Sequence, residues 1–204
     1  MKHSRKTRLL TVFALFLSLI FCNNASAQNL KVGQIKSFAD GTRGIIFYVD
    51  KNGHGLVVSM MQAELPWIRN SKGKVSVNPI TDEDKLIVGI SEKKASGMEG
   101  TKKIVKALGS DMAVAAQWCL DLGEGWYLPS ASELNYLIVT ANEEGKKTGP
   151  ISLALMEAGY KPIKGWYWCC EDYSARQAWN IASGGGIASE SKTSKAMVRA
   201  VRKF

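Results

Sequence analysis

The run WCLDLGEGWYLPSASELNYL (118–137) carries the reading of the fold. Gly123 stops one helix, and GWYL (125–128) is a short aromatic segment suited to a strand. Pro129 then restricts the chain, and Ser130-x-x-Glu133 is a capping-box pattern that opens a second helix. Leu134, Leu137, Ile138 and Ala141 recur at helical spacing and form its buried face.

Upstream, Met112, Ala115, Cys119 and Leu122 form the apolar stripe of a helix starting near Ser110 or Asp111, which turns Cys119 inward and leaves Trp118 at its edge. A helix over about 99–107 precedes it, ended by Gly109. Earlier still, GIIFYVD (44–50) and GLVVSMM (55–61) flank Asn52-Gly53, where a tight hairpin needs positive φ. Downstream, a short helix begins with Pro150 at its first position and ends before Gly159. WYWCC (166–170), QAWNIAS (177–183), IASES (187–191) and AMVRAVR (196–202) read extended. The order predicts an α+β domain: an antiparallel sheet, an N-terminal hairpin and two to three helices, with first and last strands able to pair. The polar stretch Asn70 to Lys94 reads as a long loop.

The N-terminus reads as a Sec signal peptide, 1–27. Lys2, Arg5, Lys6 and Arg8 form a basic region, Leu9 to Phe21 an uncharged apolar core, and Ala25-Ser26-Ala27 a small-residue cleavage site. The apolar run is shorter than the roughly 20 residues a spanning helix needs. Cys22 is the alternative, a lipoprotein anchor, disfavoured by bulky Phe21 before it. The expectation is one domain over 28–204, exported to the periplasm or the cell surface, with no membrane span in the mature chain. Four positives of the formal +9 charge sit in the leader. Lys93, Lys94, Lys102, Lys103 and Lys106 cluster and could meet an acidic polymer, although a solvated basic face is the better explanation, because solubility alone favours net charge. No interleaved basic and aromatic repeats point to nucleic acid.

GIIFYVDKNGHGLVVS, GMEGTKKIV, AAQWCLDLGEGWYLPSASEL, GWYWCCEDYS and VRAVRKF fall in an order that resembles the Lcl C-terminal domain family over about 33–204. That poorly characterised family takes its name from the C-terminal domain of a bacterial collagen-like adhesin. The resemblance implies the C-type-lectin-like fold, shared with the formylglycine-generating, sulfatase-modifying group, and a place in the envelope or outside it. For a few members it implies adhesion to polysaccharide. This chain departs from the family in three places. Cys169, Cys170, Glu171 and Asp172 stand where members often carry serines or threonine. Ala200 stands where some carry a cysteine that pairs with the position of Cys119. Trp179-Asn180 is followed by Ile181, so the carboxylate of a calcium-dependent sugar site is missing.

Three cysteines in the mature chain leave at least one thiol over. Cys119 with Cys169 or Cys170 is the bridge an oxidising compartment would permit, and a small buried hydrophobe is the alternative reading of Cys119. Spacing does not support a metal site, and no cofactor is expected. His54, in a hairpin turn, has no nucleophile beside it, so no catalytic residues are assigned. An oxidase using cysteine and copper, as in the formylglycine-generating group, lacks its spaced cysteine pair here.

The remaining lead is aromatic. Trp166, Trp168, Tyr173 and Trp179, with Glu171, Asp172, Arg176 and Asn180, could form a surface that stacks a sugar or grips a protein. The expected function is therefore a non-enzymatic envelope binding or adhesion module, calcium-independent, for an envelope polysaccharide or surface protein. The second reading is a structural or accessory subunit of a surface assembly.

Overall fold

The computed structural model describes residues 30–87, 97–142 and 148–204. The leader 1–27, Cys22, Lys93 and Lys94 lie outside the described residues.

The architecture is α+β, built on two five-stranded sheets rather than one. The first runs β1 (Ile35–Ser37), β2 (Arg43–Val49), β3 (Gly55–Ser59), β10 (Val201–Lys203), β5 (Trp126–Tyr127). The second runs β4 (Ala63–Pro66), β9 (Lys195–Val198), β6 (Trp166–Asp172), β7 (Gln177–Ala182), β8 (Ile187–Ser191). All pairings are antiparallel except β6 with β9.

The hairpin forms as its turn residues demand. Asp50 Oδ1 accepts the N–H groups of Asn52 and His54, and Gly53 takes φ 83°. The β-branched runs are explained by burial on both faces. Ile45, Val58 and Val201 point into one core with Leu134, Leu137 and Tyr167. Ile46 and Val57 point into a second core with Trp67, Trp126 and Trp168. Gly44 is needed at its close crossing, because a Cβ there would stand 2.7 Å from Val58 O.

Four helices join the strands: α1 (Gly97–Leu108), α2 (Val114–Leu120), α3 (Ala131–Asn135, continued by a wider-wound stretch Tyr136–Ala141) and α4 (Pro150–Glu157). The capping box at Ser130 and Glu133 is formed. Helix α2 starts three or four residues later than Ser110 or Asp111 suggests, with Ala113 before it and no side-chain cap. Its Ala115 and Cys119 are buried and Trp118 is half-buried at the edge. Within the stretch read as a loop, Ser71–Gly73 forms a tight turn and Glu83–Leu86 a single helical turn.

The run AMVRAVR is not one strand. It breaks at Arg199-Ala200, where the chain leaves the second sheet and β10 enters the first beside β3. The last strand joins the first hairpin through its second strand, β3, and not through the first strand, 44–50, as the order of elements suggested. Arg202 meets Asp40 at 2.6 Å in an ion pair. Arg199 pairs with no acid among the described residues. It is buried at the crossing and donates to Ser59 O, Met60 O, Lys161 O and Gln62 Oε1, so it ties four backbone and amide acceptors into a corner.

Candidate functional site

The candidate residues lie along β6 and β7, and the structure turns most of them inward. Trp168 and Trp179 are buried (0% and 5% exposed). Each indole N–H finds an internal acceptor, Trp168 donating to Leu65 O at 3.0 Å and Trp179 to Ile80 O at 2.6 Å. Glu171, Asp172 and Asn180 are buried too. Only Trp166 (43%), Tyr173 (38%) and Arg176 face solvent. The expected aromatic platform is therefore not assembled: five of its eight members are structural. The cause is topological. The inner strands β6 and β7 are covered on both faces, so alternation along β6 selects between two cores and not between core and solvent.

A bulge deepens this. Trp168 pairs with Asn180 and Asp172 with Ala178, so three residues of β6 stand opposite Trp179 alone. Those residues, Cys169, Cys170 and Glu171, are turned to internal partners. Cys169 O accepts from Trp67 Nε1 at 3.0 Å, and Cys170 N donates to Pro129 O at 2.9 Å. Glu171 Oε2 accepts from Ala131 N at 2.9 Å, on the first turn of α3. Glu133, the other carboxylate there, accepts from Ser130 N, Gly97 N and Tyr127 Oη. Burial pushes the Glu171 carboxyl up to about 7, and the neighbouring Glu133 charge adds to it.

Asp172 is an anchor. Its carboxylate accepts from Ser76 Oγ (3.2 Å), Val77 N (2.9 Å) and Lys192 Nζ (2.7 Å), while Lys192 also donates to Val75 O and lies 4.5 Å over the Trp67 ring. Both side chains are fully buried. This pair stitches the 75–80 segment to the sheet. Burial pulls the Lys192 ammonium down, opposed by the Asp172 carboxylate. Nothing in the sequence marks Lys192, which reads as one more polar turn lysine.

The bridge of Cys119 with Cys169 or Cys170 is not formed: all three are free, buried thiols. Burial holds each well above the usual thiol range, so none is a thiolate at neutral pH. Cys169 Sγ donates to Trp179 O at 3.2 Å, and Cys119 sits in the second core as the apolar residue its helix face suggested. His54 lies in the exposed hairpin turn, 3.4 Å from Asp50. Among the described residues, no group of three or more His, Cys, Asp or Glu is placed to hold a metal ion.

Outward apolar surface lies elsewhere. Among the described residues, four of the eight large exposed hydrophobics fall on two neighbouring stretches of the chain. Val32 and Ile35 lie in and just before edge strand β1, and Leu153 and Met156 on the outer side of α4. A Cβ at Gly33 would stand 3.9 Å from Pro150 Cβ, which places the segment just before β1 beside the start of α4.

No family model matches the chain. No curated protein matches it either. Among solved structures, a fimbrial protein from Bacteroides ovatus ATCC 8483 shares the fold, with a TM-score of 0.59 and 15% identity over 86% of this chain. The chain spans about half (49%) of that protein's length.

Proposed function

We propose that this chain is an exported, non-enzymatic envelope protein that works as a structural or accessory subunit of a surface assembly, through protein contacts at β1 and α4. The observation that carries this reading is where the apolar surface lies. Ile35 is exposed on β1, an edge strand among the described residues, with Val32 just before it and Leu153 and Met156 on α4, whose start lies beside that segment. An open edge with apolar side chains is a template for another chain. The shared fold with a fimbrial protein supports the same class of role by analogy alone. The basic-apolar leader motif supports export. Within this proposal the domain is C-type-lectin-like and related to the Lcl C-terminal group; the hairpin, the two-helix region and the paired ends agree with that plan.

Polysaccharide binding is the second reading. It rests on Trp166, exposed beside Gly186 in the β7–β8 turn, and it needs no calcium.

The test is incorporation. Ile35→Lys and the double change Leu153→Glu/Met156→Glu should leave the protein folded but move it from the sheared surface-filament fraction to the soluble one. Unchanged incorporation of both variants, or a wild-type protein never found with filaments, sinks the proposal. A glycan array without calcium, scored with Trp166→Ala, decides the second reading.

A further inference from the structure

Strand β1 closes the first sheet with one side of its backbone open. Phe38 N–H donates to Thr42 O and Ile46 N–H to Gln34 O, so the even-numbered residues of this stretch bond to β2. The register, with Ile35 opposite Ile45 and Lys36 opposite Gly44, keeps that alternation through the strand. The N–H and C=O groups of Ile35 and Ser37 therefore point away from β2. Among the described residues no strand lies beyond them. A row of alternating peptide donors and acceptors is matched by one kind of occupant, an extended polypeptide running alongside.

The side chains set what that polypeptide carries. Ile35 stands opposite Ile45, which belongs to the core that Ile151 and Leu155 of α4 also enter. Ile35 thus takes the face of the sheet on which α4 packs, and it is 48% exposed there. Lys36 takes the other face, its ammonium 4.5 Å over the Phe204 ring. Charge at this edge has one sign. Residues 28–39 contain no Asp or Glu, and the next acid, Asp40, is held by Arg202. Lys31, Lys36 and Arg43 are in no ion pair among the described residues. On the open side, a residue laid opposite Lys36 falls in a pair without hydrogen bonds, where side chains approach most closely. An acid is favourable at that place and a base unfavourable. A second copy of β1 would bring its own Lys31, Lys36 and Arg43 against these, with no acid to offset them.

We propose that β1 accepts a strand from a different polypeptide, apolar where it passes Ile35 and acidic where it passes Lys36. This gives the mode of contact and the partner's chemistry for the assembly role, and rests on that reading. Main-chain hydrogen bonds to Ile35 and Ser37 supply affinity, and the alternating side chains supply selectivity.

The probe is an end-capped peptide alternating valine and glutamate, titrated to millimolar concentration into isotope-labelled purified protein and read by amide NMR. The comparison peptide alternates valine and lysine. The glutamate peptide should bind about tenfold more tightly, with the Ile35 and Ser37 amides shifted and slowed in exchange. Lys36→Glu should reverse the preference between the two peptides. Ser37→Pro deletes one outward N–H at an edge position that tolerates proline, and should weaken binding about tenfold. Circular dichroism shows whether each variant folds, and Lys36→Glu carries the test if Ser37→Pro does not. The proposal is overturned if neither peptide binds, if both bind equally, if binding leaves the Ile35 and Ser37 amides unchanged, or if folded Ser37→Pro binds like wild type. Slowed exchange of those amides that grows with protein concentration and needs no peptide overturns it in favour of a second copy. The incorporation variants decide the assembly role separately. A protein that joins the surface-filament fraction but binds neither peptide loses strand addition alone. One that binds the glutamate peptide but never joins that fraction loses the assembly role and keeps the strand site.

Discussion

Replacing Glu171 by Gln should stabilise this protein at neutral pH and remove most of its stability change between pH 4.5 and 7. Glu171 is 7% exposed, with its carboxyl shifted from the model-compound 4.5 to about 7. Burial is the chief cause, and the Ala131 N–H it accepts only partly offsets it. The folded state therefore holds this proton more tightly than the unfolded state does. In that window the folded chain binds more protons, so stability falls as pH rises. The contribution is fully present below 4.5 and lost by about 7. At 1.36 kcal/mol per unit, the loss is on the order of 3 kcal/mol. Gln mimics the protonated acid and can still accept from Ala131. For a chain of this size, about 3 kcal/mol corresponds to roughly 6–12 °C in Tm. The assay is thermal or urea unfolding of wild type and E171Q at several pH values, read as their difference, which cancels other titrating groups. Parallel curves for the two proteins, or an E171Q protein less stable than wild type at pH 8, would refute the reasoning.

Three further outcomes follow from the packing. Lys192→Met leaves the Asp172 carboxylate buried with only Ser76 and Val77 as partners, so it should cost about 3–5 kcal/mol in urea unfolding; a loss under about 1 kcal/mol would show that the pair is dispensable. Gly100→Ala should destabilise by about 1–3 kcal/mol although alanine favours helix, because its Cβ would collide with Cys170 Sγ; a stabilised variant would contradict the close α1–β6 contact. The thiols of Cys119, Cys169 and Cys170 should ignore Ellman's reagent in native buffer and react in guanidinium, with mass spectrometry mapping each site; rapid native labelling of any one would show that it is not buried.

Where the sequence carries a local physical signal, the elements match it. Asn52-Gly53 marks the hairpin, Ser130 and Glu133 mark a helix start, and Pro150 marks another. What escaped was relation between elements. Residues 196–202 read as one strand because nothing local reveals that Arg199 turns the chain from one sheet to the other. The short edge strands β1 and β4 lack a periodic signal long enough to detect. The aromatic strip illustrates the limit for function. Composition concentrates tryptophan and tyrosine at 160–179, yet whether a ring faces solvent depends on what covers the sheet, and both faces of β6 are covered. Likewise Lys192 is an ordinary turn lysine in sequence, and only the arrival of Asp172, Val75 and Trp67 around it makes it a buried clamp.

The most direct test of the assembly role is photocrosslinking on intact cells, with a benzophenone amino acid at position 35 or 153 and, in parallel, at 166. The account predicts a discrete adduct from 35 and 153 with another protein of the cell surface, and none from 166. Adducts from 166 alone, or glycan-bearing adducts in place of protein ones, would contradict it.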